Sequence, residues 1–374
     1  MSQIQFIDLQ AQRAYLGGRL EAAIKTVLGH GHFIMGPEIL TLEFQLAAFA
    51  LQARAVTCAS GTDALLLPLM AWNVGPGDAV FVPSFTFAST AEVVALLGAQ
   101  PVFVDVLPDT FNIDPDRLAA AVEEVVAAGE LSPRVVIAVD LFGQLADYPR
   151  LREVADRNKL KLISDAAQGF GSTLNGNQSG TWADCVATSF FPAKPLGCYG
   201  DGGAVLTNDL ELAETIESLR VHGKGDDKYD NVRIGINGRM DTLQAAIVIE
   251  KLSIFPEEIQ KRNLVATRYT EALRGICRTP DVGAGVVSTW AQYTLAFDDR
   301  ERVQRKLKEQ NIPTAIYYPK PLHQQTAYKG FLSAGGTLPV SESLSQKVLS
   351  IPMHPYLDVA TQDHIVASIR NAVV

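Results

Sequence analysis

What most constrains this chain is a rhythm. Over residues 53–208, seven short apolar runs alternate with amphipathic stretches. The runs are ARAVTCA (53–59), AVFVP (79–83), PVFVDV (101–106), RVVIAVD (134–140), LKLISD (160–165), CVATSFF (185–191) and GGAVLTN (202–208). Several are rich in Val and Ile at successive positions, so both faces of such a strand must meet apolar neighbours. The stretches between them read as helices. In DPDRLAAAVEEVVAAGE, Asp114 is the N-cap, Pro115 takes the first helical position, and Leu118, Val122, Val125 and Val126 form one face. Apolar strands separated by helices predict an α/β fold whose mostly parallel sheet is covered on both sides.

Beyond Asp241 the pattern changes to long helices up to about Gly275, interrupted at Pro256. Weaker strand and helix signals follow in QYTLAFD (292–298), VQRKLKEQ (303–310) and ATQDHIVASIRNAVV (360–374). A chain of 374 residues suits a large domain plus a smaller one. The reading is an N-terminal segment and large domain over 1–254, then a small C-terminal α+β domain over 255–374.

Composition removes several function classes. A net charge of −9 argues against a non-specific nucleic-acid binder, yet leaves room for a small anion in a local basic pocket. Cys58, Cys185, Cys198 and Cys277 lie far apart with no metal-binding spacing, which reads as reduced thiols and no metal. The start MSQIQFIDLQ lacks the basic residues and apolar run of a signal peptide, and no apolar run approaches the ~18 residues of a membrane span. The expectation is a cytoplasmic, soluble protein without a membrane partner.

In an open α/β sheet, ligands bind beyond the carboxyl ends of the strands. The candidates are Ser60-Gly61-Thr62, Ser84 to Phe87, Asp105, Asp140, Asp165 and Ser189 to Lys194. Asp105 and Asp140 read as structural caps. The amides of Gly61 and Thr62, opening a helix, suit a phosphate, although such turns are usually plain strand-to-helix connections. Pro68 is expected to kink that helix. Phe85 and Phe87 are core residues or a stacking surface for a planar group. Asp165 is an N-cap, or the partner of a protonated heterocyclic nitrogen, with Gln168 placed to donate to an oxygen on the same ring.

Lys194 lies between Pro192 and Pro195 and ahead of Gly197, Gly200, Gly202 and Gly203. It is a surface lysine, or an inward amine whose lowered pKa permits a Schiff base. Ser189 can give a hydroxyl to a phosphate. Phosphate cradle, stacking ring, carboxylate and Schiff-base lysine are together what pyridoxal 5′-phosphate (PLP) requires.

At this point the sequence resembles the nucleotide-sugar aminotransferases of the DegT/StrS family, which have the fold-type-I PLP architecture. The likeness spans FIDLQAQ, GHFIMGPEI, SGTDAL, FTFAST, SDAAQGFG, SFFPAKPLG, GINGRMDTLQAA, YYPKPLH and SIPMHPYL, essentially the whole chain. It implies that Lys194 carries the cofactor and shuttles protons, while Asp165 pairs with the pyridine nitrogen and Gln168 with the ring oxygen. Phe87 would stack on the ring, and Gly61, Thr62 and Ser189 would hold the phosphate. Asn237 would reach the phosphate from a neighbouring subunit, making the unit a homodimer with a shared active site. From the residues alone, Gly235 to Gly238 reads only as a turn.

Within the family, SFFPAKPLGCYGDGGAVLTND and MHPYLD resemble the branch that aminates UDP-2-acetamido-2-deoxy-3-oxo-glucuronic acid for lipopolysaccharide. Arg239 is placed to pair with a carboxylate of sugar or donor. Tyr317 stands where that branch is expected to carry histidine, and His222, Lys320 and His323 are further candidates for anionic substrate groups. The expected reaction moves an amino group from L-glutamate to a UDP-linked 3-keto sugar, through pyridoxamine 5′-phosphate. Rivals are a 4-keto or a dTDP- or GDP-linked sugar, the family's sugar dehydratase, which Lys194 opposes, and a PLP-binding regulator without turnover.

Overall fold

A computed structural model of the chain describes residues 3–227 and 229–373. All seven apolar runs are strands: β1 Arg54–Cys58, β2 Asp78–Pro83, β3 Gln100–Val104, β4 Ser132–Val139, β5 Lys161–Asp165, β7 Cys185–Ser189 and β8 Gly203–Thr207. The remaining strands are β6 Thr173–Leu174, β9 Val286–Val287, β10 Tyr293–Ala296, β11 Leu332–Ser333 and β12 Val348–Ile351.

The main sheet runs β1-β8-β7-β5-β4-β2-β3-β11. Every pairing from β7 to β11 is parallel, and β8 lies antiparallel to both its neighbours. The sheet thus has eight strands rather than the seven expected. The eighth, β11, comes from the C-terminal part of the chain and joins β3 through two residues.

Strand alternation sends neighbouring residues to opposite layers. Val80 and Val82 of β2 pack with helices Gly61–Ala71, Ser89–Leu96 and Leu210–Leu219. Ala79 and Phe81 pack with helices Pro115–Ala128 and Tyr148–Asn158 on the other face. That second face continues across β7, β8 and β1, where Ala55, Val186, Ala204 and Leu206 meet helices Pro37–Ala50 and Thr242–Leu252. Each fully buried Val, Leu, Ile or Phe side chain contributes about 1.5–3 kcal/mol, so the sandwich supplies a rigid floor for whatever emerges at the strand ends.

Asp114 caps helix Pro115–Ala128 by accepting from the Asp116 and Arg117 amides. Leu118, Ala121, Val122 and Val125 are its buried stripe, while Val126, expected there, is 60% exposed. One residue past Val125 turns the side chain about 100° off the stripe. Helix Gly61–Ala71 runs without a break through Pro68. Pro256 lies in the first turn of helix Phe255–Leu273, two residues after a break at Ser253 and Ile254.

A separate core gathers helices Phe255–Leu273, Arg300–Glu309 and Val359–Val373 around β10 and β12, and Ile4 from the other end of the chain packs onto it. Residues between Leu322 and Lys347 return to the main sheet. Beyond β11, the Val340 and Ser341 amides and the Ser341 hydroxyl all donate to Asp105, which thereby anchors the start of helix Pro339–Lys347.

Candidate active site

Three strand ends and one helix start converge. After β1, Ser60 caps helix Gly61–Ala71: its hydroxyl accepts from the Asp63 amide and its carbonyl from the Ala64 amide. The amides of Gly61 and Thr62 remain at the positive end of the helix. Gly61 presses directly on the end of β7, where an added Cβ would lie 2.5 Å from the Ser189 Cβ. Only glycine lets the helix start and the Ser189 hydroxyl share one small concavity, and those groups form an anion cradle.

The loop after β7 is a tight one. The Lys194 amide donates to the Phe191 carbonyl, and a Cβ at Gly197 would lie 2.6 Å from that same carbonyl. This turn carries Lys194 inward. Its amine keeps a partly open side chain, yet the surrounding protein desolvates it and lowers its pKa, with the Asp165 charge opposing the shift. Asp165 is buried at the end of β5, accepting from the Thr90 hydroxyl at 3.1 Å and the Ala167 amide at 3.2 Å. Burial raises its pKa, while the Ala167 amide, Lys194 and Thr90 pull it back. Lys194 and Asp165 feel each other's charge without forming a contact ion pair among the described residues.

Gln168 is held by its oxygen, which accepts from the Phe142 amide at 2.7 Å, so its side-chain nitrogen points the other way, to the Tyr318 hydroxyl at 3.3 Å. Phe85 is fully buried core, whereas Phe87 is 56% exposed. The Tyr318 ring stands between them, 6.1 Å from Phe85 and 6.5 Å from Phe87 between centroids. Tyr318 and Thr90 are members of this group that the sequence reading passed over. The signal for Tyr318 is the aromatic pair in YYPKP, in which Tyr317 alone reads as a substrate candidate.

The expected substrate residues are more dispersed. Tyr317 packs between Phe6 and Tyr318, and burial keeps its phenol protonated. Arg239 donates to the exposed Asn237 side chain at 3.0 Å, and the Gly238 between them accepts from the Ala59 amide at 2.9 Å. His222 and Lys320 are exposed. Within the chain, no hydrogen bond or ion pair joins His222, Lys320 or Asn237 to Asp165, Gln168 or Lys194 among the described residues. Both ring nitrogens of His323 are engaged, one with the Ser84 hydroxyl at 2.6 Å and the other with Glu342 at 3.1 Å. That ring tethers the C-terminal segment to the end of β2 and has no nitrogen left for a substrate anion.

These groups fit PLP. The Gly61–Ser189 cradle takes a phosphate, a buried carboxylate with no cation in contact takes a ring N–H⁺, Phe87 offers an exposed face, and a desolvated amine adjoins them. A cavity of about 690 Å³ lies elsewhere, beside helix Arg300–Glu309, and its rim cations Lys347 and Arg278 are already paired with Asp298 and Asp109. Among the described residues, no cluster of His, Cys, Asp and Glu is placed to hold a metal, and no helix is long and apolar enough to cross a membrane.

Known proteins agree with this chemistry. Residues 15–370 match the DegT/DnrJ/EryC1/StrS aminotransferase family. Over 371 residues the chain is 46% identical to a UDP-2-acetamido-2-deoxy-3-oxo-D-glucuronate aminotransferase of Pseudomonas aeruginosa, covering 98% of this chain and 100% of that one. A solved DegT/DnrJ/EryC1/StrS aminotransferase from Brucella abortus superposes with a TM-score of 0.97 at 52% identity, spanning 98% of this chain and 99% of the other. DesV of S. venezuelae, solved with a ketimine intermediate, has a TM-score of 0.93 at 34% identity over 100% of this chain and 99% of its own. Site, fold and sequence concur over nearly the full length: the chain belongs to the DegT/DnrJ/EryC1/StrS aminotransferase family.

Proposed function

We propose that this PLP-dependent aminotransferase moves the amino group of L-glutamate onto C3 of a UDP-linked 3-keto sugar, UDP-2-acetamido-2-deoxy-3-oxo-glucuronic acid. The observation that carries the chemistry is the desolvated Lys194 amine beside the buried Asp165 carboxylate. The 46% identity to the P. aeruginosa enzyme supports the choice of sugar. The product would feed lipopolysaccharide O-antigen synthesis in the cytoplasm.

Bound PLP supplies an electron sink conjugated to the carbon that loses a proton. Everything else falls to side chains. Gly61, Thr62 and Ser189 hold the phosphate. Asp165 keeps the ring nitrogen protonated by opposing charge. Gln168, locked by the Phe142 amide, turns its NH₂ toward the ring oxygen. Phe87 covers one face of the ring.

Lys194 tethers the cofactor at rest, because burial lowers its pKa and so raises the share of neutral, nucleophilic amine. Once the donor amine displaces it, the Lys194 Nζ takes the proton from the α-carbon of glutamate. In the second half it returns a proton to the sugar carbon that receives nitrogen. One base serving both halves in one site makes the kinetics ping-pong.

Arg239 pairs with a substrate carboxylate, and Tyr317, His222 and Lys320 contact the sugar nucleotide. In this reading residues 1–254 hold the cofactor, residues 255–374 form the smaller domain, and Asn237 and Arg239 serve the site of a second copy. The exposed apolar residues Leu40 and Phe44 (76%) on helix Pro37–Ala50 and Leu51 at its C-cap, with Ile234 (89%) just ahead of the Gly235–Gly238 turn, support a homodimer.

Two measurements test this. Absorbance of the PLP-loaded protein should change to the pyridoxamine form on adding L-glutamate. The starting spectrum should return with a UDP-3-keto-glucuronate and not with a dTDP-4-keto sugar. Equal recovery with both sinks the choice of sugar and leaves the aminotransferase standing. Sedimentation velocity at micromolar concentration should show a dimer, and a monomer would remove the shared site.

A further inference from the structure

Three acids close parallel strands of the sheet, two of them adjacent, and they have different surroundings. Asp105, after β3, is consumed in anchoring helix Pro339–Lys347. Asp165, at the end of β5, faces the site. Asp140, after β4, is fully buried. It precedes a short 3₁₀ turn, Leu141–Gly143, but its side chain makes no capping hydrogen bond to that turn. A buried carboxylate without a cation costs several kcal/mol unless donors surround it. The fold provides three: the Tyr148 hydroxyl at 2.8 Å, the Ala146 amide at 3.1 Å and the Ser164 hydroxyl at 3.2 Å.

Those donors keep Asp140 in place directly beneath the site. The Val139–Asp165 pair ends the β4–β5 ladder, and the Asp140 amide extends it by donating to the Asp165 carbonyl at 3.0 Å. On its other side Asp140 supports the turn that carries Gln168. A Cβ on Gly169 would fall 2.3 Å from the Asp140 Cβ, so this turn rests on the aspartate itself. One residue therefore underlies both proposed ring contacts.

We propose that Asp140 is a positioning residue for the cofactor, acting through Asp165: a second buried carboxylate that deepens the negative potential behind the ring nitrogen and seats the Gln168 turn. This rests on the reading that Asp165 meets that nitrogen. The titratable groups facing Asp140 are Tyr148, from helix Tyr148–Asn158, and Asp165, with Lys194 beyond Asp165. Burial pushes the Asp140 carboxyl up to about 7, Tyr148, Ala146 and Ser164 oppose the rise, and the Asp165 charge adds to it. The second charge is therefore present above neutrality and withdrawn in mild acid.

Asp140→Asn isolates that charge. The amide oxygen can keep the Tyr148 and Ala146 bonds, and the new NH₂ can donate to Ser164, whose proton turns to Ser179 at 2.8 Å. The test is the dissociation constant of PLP from the apoprotein between pH 5.5 and 9, for the wild type, Asp140→Asn, Asp165→Asn and Tyr148→Phe. At pH 8.5 Asp140→Asn should bind about tenfold more weakly, the effect of roughly one pKa unit. That ratio should fall toward one below pH ~6, where wild-type Asp140 is itself protonated.

Tyr148→Phe removes a donor that lowers the Asp140 pKa, so its loss of affinity should begin at higher pH than in the wild type. It carries the test if Asp140→Asn fails to fold. An Asp140→Asn ratio near one at pH 8.5, or one that ignores pH, overturns the proposal even if Asp165→Asn weakens binding. Unchanged binding in Asp165→Asn removes the underlying reading and this proposal with it.

Discussion

Lys194 stands in the loop over the ends of β5 and β7, whereas Lys251 stands in the last turn of helix Thr242–Leu252, with its amine 4.1 Å from the ring centre of Tyr199. Burial lowers the pKa of both amines, that of Lys251 to about 8. Their surroundings differ in what else is present. Lys194 has a carboxylate nearby, a partly open side chain and an anion cradle at the end of the same strand. Lys251 is 1% exposed, and its amine has no hydrogen-bond partner among the described residues. A depressed pKa makes an amine available as a base or nucleophile, but only access and an oriented partner turn it to use.

The sharpest way to break this contrast is to remove each amine. Lys194→Ala should lower transamination by about 10⁴-fold or more, because Lys194 serves as the base in both half-reactions. Steady-state turnover with glutamate and keto sugar reads this, and a residual rate within tenfold of the wild type would shift the base to another residue.

Lys251→Met should leave turnover within about threefold and act on stability instead. The sign follows from linkage. Lys251 titrates at its ordinary 10.5 when unfolded and at about 8 when folded, so between these values the unfolded chain holds more protons and stability rises with pH. Below pH ~8 the wild type bears the full cost, on the order of 3 kcal/mol, which the variant avoids. Urea unfolding should therefore show Lys251→Met more stable at pH 7, with the gain fading by about pH 10.5. A loss of stability at pH 7 would mean that the contact with the Tyr199 ring outweighs the burial cost.

The two lysines also mark what was legible in the sequence. Lys194 stood out because prolines and glycines surround it after an apolar strand, a local pattern. Lys251 did not, because a lysine in the last turn of an amphipathic helix reads as solvated. Its burial comes from tertiary packing, with the Tyr199 ring over the amine. The seven sheet strands were legible because each carries its apolar signal within a few residues. The strand β11 was not, since Leu332–Ser333 becomes a strand only by meeting β3. Asp165 and Gln168 could be tied to a cofactor from their place after a strand. Tyr318 comes from a loop and Thr90 from the first turn of helix Ser89–Leu96, and no spacing rule ties either to Asp165 or Gln168. His323, a fair substrate candidate by type, is absorbed by Ser84 and Glu342.

The late arrival of β11 has a consequence for how the chain is made. During synthesis β3 emerges with one edge uncovered, and its partner follows about 230 residues later. Until then an apolar strand presents unpaired amides and carbonyls to any similar edge in the cell. Completing the sheet therefore waits on residues made long after β3, with loss to aggregation greatest before residues 332–333 dock. A truncation ending before Leu332 would retain the Asp165 and Lys194 strand ends and should precipitate rather than bind cofactor.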